Sequence, residues 1–300
     1  MSAIAAFVRL GRPLFLGGGV LMYALGAAIA MAAGHRVEWG RYVLGQSVVT
    51  AFQLMTHYAN DYFDLEADRA NATPTTWSGG SRVLPGGELP AGVALVAAGV
   101  LAAIGAVLAV VLALCTHDGA IAATSAAIAV LAWSYSAPPL RLCARGLGEL
   151  ATAVVVTMLV PWLAFAVQAP DHAGGAQLAR SIVAPALLQF AMLLAIEFPD
   201  AAGDAATGKR TLVVRLGAAR AARLYAGCLA AAFAWLPIAY ALGWPARVAL
   251  AAALPAPIAA WRIARLRDHA DPAAHERLAL FGVGLLVATG AAELAGWLAV

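Results

Sequence analysis

The sequence predicts an all-α protein: one membrane domain over residues 1–300, built as a polytopic bundle of nine transmembrane helices. Three observations carry this reading. First, 63% of the 300 residues are hydrophobic and only 12% are charged, with a mean hydropathy of +0.82. A soluble domain sits near 45–50% apolar and about 25% charged. Second, nine apolar runs approach the length needed to cross a bilayer, about 20 residues. Third, the basic residues fall almost entirely on one side of those runs. No soluble domain of any size is expected, and no nucleic-acid partner.

The runs are 14–33, 42–59, 91–114, 119–136, 147–168, 182–199, 222–242, 246–264 and 278–298. The first is long enough to span and lacks a clear cleavage site, so no removable signal peptide is expected. The second carries polar residues at helical spacing. The others are rich in Ala and Gly, and small residues let membrane helices approach closely. The same abundance inflates the apolar count, which leaves room for one half-inserted span. Fifteen of the nineteen Lys and Arg residues fall in the N-terminal segment and the loops 2–3, 4–5, 6–7 and 8–9, while Arg36, Arg41, Arg180 and Arg247 lie on the other side. The positive-inside rule then places the N-terminus in the cytoplasm and the C-terminus outside. Arg220, Arg223, Arg262, Arg265 and Arg267 read as topology determinants. Cys115, Cys143 and Cys228 lack the spacing of a disulfide framework or a zinc site.

Charge is rare in this chain, so its clusters are informative. Asn60, Asp61, Asp64 and Asp68 end the second run, and Asp200 and Asp204 end the sixth. Carboxylates at i and i+3, i+4 or i+7 share a helix face, so Asp61, Asp64 and Asp68 are expected to project together, as are Asp200 and Asp204. The matched Asp64/Asp68 and Asp200/Asp204 spacing points to two related halves, about 1–145 and 146–300. Carboxylates concentrated beside lipid need a cationic partner. Mg²⁺ takes oxygen ligands and commonly bridges carboxylate to phosphate, so the pattern points to a phosphorylated substrate.

Other polar groups gather near these acids. Gln53, His57, Asn60 and Asp64 form one helical stripe, read as the wall of a substrate cavity, with interhelical hydrogen bonding as the plainer alternative. Arg82, Arg141, Arg145 and Lys209 lie on the same face as the acids, and Lys209 is the chain's single lysine. Arg grips phosphate oxygens bidentately, whereas Lys acts as a movable point charge.

These motifs resemble the UbiA-type intramembrane prenyltransferases. Asn60, Asp61, Asp64 and Asp68 match their N-D-x-x-D-x-x-x-D motif, and Asp200 and Asp204 match D-x-x-x-D. Arg12-Pro13, Tyr135-Ser136 with Pro139, and Gly208-Lys209-Arg210-Thr211 also look like that family. Thr56 to Tyr62 and Glu197-Phe198-Pro199-Asp200 are most similar to its menaquinone-pathway branch, which prenylates 1,4-dihydroxy-2-naphthoate. The resemblance implies an enzyme of the inner (cytoplasmic) membrane that transfers an isoprenyl group from its diphosphate to an aromatic acceptor. It implies two Mg²⁺ ions held by Asn60, Asp61, Asp64, Asp68, Asp200 and Asp204, with Asp64, Asp68, Asp200, Asp204 and Lys209 catalytic. Substrate would meet Arg12, Gln53, His57, Asn60, Arg82, Tyr135, Arg141 and Arg145.

The acceptor alternatives are naphthoate, 4-hydroxybenzoate, homogentisate, a chlorin or haem, and a lipid glycerol. The base is open among His57, Glu197 and the clustered carboxylates. Glu293 is expected in an interhelical hydrogen bond or near the far interface. The sequence also leaves donor chain length and oligomeric state open. A cation-coupled transporter is the rival from another class. Transport sites lie near the midplane, whereas these acids sit at one membrane face.

Overall fold

The computed structural model describes residues 2–300, and among them every regular element is helical. A short helix α1 (Ala3–Leu10) leads into α2 (Pro13–Ala32), whose Pro at the first position suits a helix start. Helix α3 (Trp39–Phe63) ends at Asp64, which opens the short α4 (Leu65–Ala70). After an irregular loop, α5 (Ala91–Thr116) and α6 (Gly119–Ser134) follow. The remaining helices are α7 (Gly148–Gln168), α8 (Gly175–Glu197), α9 (Ala201–Ala206), α10 (Leu212–Leu216), α11 (Ala218–Ala241), α12 (Ala246–Ala264) and α13 (His275–Leu298).

Among the described residues, seven helices have the length and apolarity to cross a membrane: α2, α5, α7, α8, α11, α12 and the segment that ends with α13. The two other expected spans are helical but fall short by those measures. Helix α3 is 25 residues long, but its polar stripe lowers its hydropathy; α6 is apolar but only 16 residues long. Helix α12 breaks at Leu254 and Pro255, because a proline lacks the N–H that an unbroken helix needs there.

The helices close into a single bundle. α3 packs along α5, α2 along the second half of α7, and α8 against α11 and α13. α13 also meets α2, so the last helix returns to the first span. Tyr23, Leu25, Leu112, Ile128, Leu163 and Phe165 are buried in the core. The outer surface is equally apolar: Val96, Val100, Val107 and Leu114 of α5 are exposed. A surface of this kind suits lipid rather than water. At the end that carries the basic loops, Arg262 departs from the expectation of a surface charge. It is fully buried, pairs with Asp268 at 2.9 Å and lies over the Trp261 and Phe281 rings.

Glu293 is fully buried inside the bundle, beside Ser181 and Trp297. Neither of its carboxyl oxygens has a hydrogen-bond partner among the described residues, so the expected interhelical hydrogen bond is not formed.

Candidate functional site

The site is built where α3 and α8 run out of apolar sequence. Each ends in a kink and then a six-residue helix, α4 or α9, so the two acidic segments are structural counterparts. α4 and α9 pack against one another. Their approach is limited by Gly203: a β-carbon there would stand 2.9 Å from the Asn71 nitrogen and 3.1 Å from the Ala67 carbonyl oxygen. Any other residue would push the acidic segments apart.

Between them opens a cavity of about 240 Å³. Asn60, Asp64, Asp68, Asp200, Asp204 and Lys209 line its polar end. Lys209 Nζ lies 2.8 Å from Asp64 Oδ2 and 3.4 Å from Asp204 Oδ1, tying the two halves together. Burial alone would lower the Lys209 pKa, but the surrounding acids, Asp64 and Asp204 among them, hold it well above the usual lysine range. Asn60 donates to Asp64 Oδ2 at 2.7 Å and to Ser136 Oγ at 2.9 Å. Asp200 accepts from Asn71 Nδ2 at 2.7 Å and from the Gly79 N–H at 3.1 Å.

One cation does not satisfy this cluster. Burial, then Asp64 and Asp61, push the Asp68 carboxyl up to about 8, and burial raises Asp204 to about 6 despite Lys209. Asp64 Oδ1, Asp68 Oδ2 and Asp204 Oδ2 are buried with no hydrogen-bond partner among the described residues. Orphaned oxygens are costly in an apolar setting, and a hard divalent cation would satisfy them. No three carboxylates among the described residues converge into a closed metal site. Mg²⁺ does not need one, since it commonly takes one or two carboxylates and completes its shell with water and phosphate oxygens. The donor set therefore fits Mg²⁺ bound together with a phosphorylated ligand.

The cavity deepens into an apolar region along α2, α3, α6, α7 and α13. Gln53, His57 and Asn60 line it in the expected stripe, with Tyr135 opposite. Gln53 donates to the Phe15 carbonyl at 2.7 Å. A π turn over Val155–Leu159 widens α7 where Val155 and Val156 meet the cavity. Arg12 forms a corner: its guanidinium donates to the Trp77 carbonyl at 3.3 Å and lies 4.6 Å from the Phe15 ring centroid. Trp77 and His57 both pack edge-on to Phe15.

Four expected site residues lie outside the cavity. Asp61 does not line the cavity but stays beside Asp68: an oxygen of each lies within 3.4 Å of the place a Gly80 β-carbon would take. Asp61 accepts hydrogen bonds from the Ser81 N–H, at 3.1 Å, and the Ser81 hydroxyl. Arg82 donates to the Asp68 backbone carbonyl, which orders the loop. Arg141 and Arg145 are exposed beyond the end of α6, with Arg145 bound to the Pro139 carbonyl at 3.0 Å. In that turn helical periodicity no longer applies, so proximity to Tyr135 in sequence does not carry into the cavity.

Sequence reasoning also missed residues. Gly80, at φ +69°, lets the loop pass so close to Asp68 that a β-carbon would meet its Oδ2 at 2.1 Å. Trp77 supplies a cavity wall from the same loop. Glu149 is buried against Glu197 and accepts from the Leu212 N–H at 3.2 Å. The Gly79-Gly80 pair was the available signal, since paired glycines mark a backbone that must approach something closely; Glu149 gave none.

Comparison with known proteins agrees with this architecture. Residues 20–285 match the model of the UbiA prenyltransferase family. The 1,4-dihydroxy-2-naphthoate octaprenyltransferase of Mycobacterium tuberculosis is 32% identical over 237 residues, 77% of each chain. The digeranylgeranylglyceryl phosphate synthase of Halobacterium salinarum is 33% identical over 96% of this chain and 99% of its own. A solved UbiA homologue from Archaeoglobus fulgidus, bound to GPP and Mg²⁺, shares the fold with a TM-score of 0.66 at 15% identity, over 97% of this chain and 99% of its own. A family match across most of the chain, on a bundle whose two acidic segments meet at one cavity, establishes that this multi-pass membrane protein belongs to the UbiA prenyltransferase family and is a prenyltransferase.

Proposed function

We propose that the enzyme transfers an isoprenyl group from an isoprenyl diphosphate to an aromatic acid of the 1,4-dihydroxy-2-naphthoate class, in a Mg²⁺-dependent reaction. The observation that carries this is the shape of one continuous cavity: acidic and lysine-capped at one end, apolar beyond, with Arg12 set among aromatic rings to the side. Asn60, Asp64 and Asp68 on one side and Asp200 and Asp204 on the other would hold two Mg²⁺ ions, whose charge stabilises a departing diphosphate. Lys209 adds a positive charge at the same end, aimed where negative charge develops. As the C–O bond breaks, its electron pair leaves with the diphosphate, and the allylic carbon is attacked by the acceptor. Phe52, Ile128, Val155, Val156 and Leu286 wall the cavity and keep water from the cation. Arg12 receives the acceptor's acidic group, and Phe15 and Trp77 flank its ring. Asp61 and Arg82 act at one remove, by fixing the 78–82 loop against Asp68.

The nine-span arrangement completes this proposal, with α3 and α6 crossing as polar-lined and short spans. The N-terminus and the acidic end then face the cytoplasm, where soluble diphosphates and Mg²⁺ are found. A glycerol phosphate acceptor is the second reading, favoured by the match to the Halobacterium salinarum synthase across 96% of the chain. Purified protein incubated with geranylgeranyl diphosphate and each acceptor separates the two. A lipophilic product from 1,4-dihydroxy-2-naphthoate supports the first reading; product from geranylgeranylglyceryl phosphate alone replaces it with the second.

A further inference from the structure

We propose that His57 is a catalytic base whose Nε2 takes the proton of an acceptor hydroxyl as the prenyl group is transferred; this rests on the prenyl-transfer reading above. His57 Nδ1 lies 2.7 Å from the Gly11 carbonyl oxygen. A carbonyl can only accept, so Nδ1 carries the hydrogen and the neutral ring keeps its lone pair at Nε2. That nitrogen has no hydrogen-bond partner among the described residues. The ring lines the cavity and is only half-buried, although it sits in the body of the bundle. Its orientation is braced by Phe15, edge-on at 6.2 Å.

Position supports the role as well as tautomer. His57 is seven residues before Asp64 along α3, about 10 Å at 1.5 Å per residue. This places it beyond the diphosphate end and beside the Arg12 corner, where the acceptor is expected. The competing carboxylates lie at the diphosphate end, where Asp64, Asp68 and Asp204 each keep one oxygen open to a metal ion. The Glu197 carboxyl lies against that of Glu149. Asp64 and Asp204 hold Lys209, and Asp200 is bound by Asn71 and Gly79.

A hydroxyl is common to both acceptor classes, an aromatic diol acid and a glyceryl phosphate. The step is the same for each. The O–H proton moves to Nε2, and the acceptor's electron pair, from the oxygen or from a ring carbon conjugated with it, forms the new bond to the allylic carbon. The C–O pair departs with the diphosphate, and the imidazolium returns its proton to solvent after product release. The proton thus leaves the acceptor in the step that forms the bond.

The test uses the full-length protein in detergent with Mg²⁺, geranylgeranyl diphosphate, and either 1,4-dihydroxy-2-naphthoate or geranylgeranylglyceryl phosphate. His57→Gln keeps an N–H for Gly11 but has no basic nitrogen. Its turnover is expected to fall about 10²- to 10⁴-fold, while binding of an unreactive thiolodiphosphate analogue stays within about threefold of wild type. Added imidazole should restore turnover to His57→Ala in proportion to its concentration. Wild-type turnover in His57→Gln overturns the assignment. Equal losses of analogue binding and turnover, or no response of His57→Ala to imidazole while the analogue still binds, also overturn it. A wild-type protein that makes no product from either acceptor overturns the prenyl-transfer reading itself, and the base with it.

Discussion

Replacing Lys209 with methionine removes the cation paired with Asp64 and Asp204 while keeping most of the side-chain volume. Its ammonium lies 2.8 Å from Asp64 and 3.4 Å from Asp204, and only 15% of the side chain is exposed. At an effective dielectric of about 20 the two attractions are worth roughly 6 and 5 kcal/mol before any desolvation is subtracted. Most of that is offset by the cost of burying the ions. Truncating one partner of a buried pair nevertheless costs about 3–5 kcal/mol, because the other charge is left uncompensated. Lys209→Met is therefore expected to lower the unfolding temperature in EDTA by about 6 to 20 °C, at about 2–4 °C per kcal/mol for a large domain. Mg²⁺ should return much of the loss, since it supplies to the same oxygens the charge that Lys209 gave. Thermal unfolding in detergent, with EDTA and with Mg²⁺, reads both effects. An unchanged unfolding temperature in EDTA, or one that Mg²⁺ leaves equally depressed, refutes the view that these carboxylates share a cationic partner.

Further predictions follow the same geometry. Gly80→Ala forces a β-carbon to 2.1 Å from Asp68 Oδ2 at a φ of +69°; it should cost at least about 1–2 kcal/mol in backbone strain alone and cut activity at least tenfold, read by turnover beside the unfolding temperature. The metal-free protein should lose stability as pH rises from about 4 to 8, because Asp68 and Asp204 have folded pKa values raised to about 8 and about 6, so the folded state holds protons that the unfolded chain has released. With Mg²⁺ that decline should flatten, and Mg²⁺ affinity should weaken below pH 8 as protons compete for the same oxygens, measurable by titration calorimetry at two pH values. Arg262→Met leaves Asp268 without its 2.9 Å partner and should destabilise the fold, whereas Arg36→Ala, at an exposed position, should leave stability and turnover unchanged.

The sequence announced the site more clearly than it announced the bundle. The stripe Gln53, His57, Asn60, Asp64 reached the cavity because it lies within one continuous helix, where a 3.6-residue period holds. Asp61 belongs to the same helix but sits off that stripe, facing Ser81 and Asp68 and not the cavity. Arg82, Arg141 and Arg145 were placed by proximity in sequence to matched motifs, but they belong to loops whose direction is set by contacts far along the chain. Trp77 and Glu149 were invisible for that reason: the first meets Phe15 across 62 positions and the second meets Leu212 across 63. The run 42–59 was read as a span, whereas by length and hydropathy α3 is not among the seven span-like helices, since the stripe that reaches the cavity is polar.

The most direct test measures diphosphate release from geranylgeranyl diphosphate, with the acceptor that wild type uses, in Mg²⁺ and in EDTA. It compares wild type with Asp64→Ala and Asp200→Ala, one change in each half of the site. Release is expected from wild type in Mg²⁺ only, with a loss of at least about 10³-fold in each variant while the protein stays folded. Release that persists in EDTA, or that survives either substitution, would contradict the claim that the two acidic segments act together on the diphosphate.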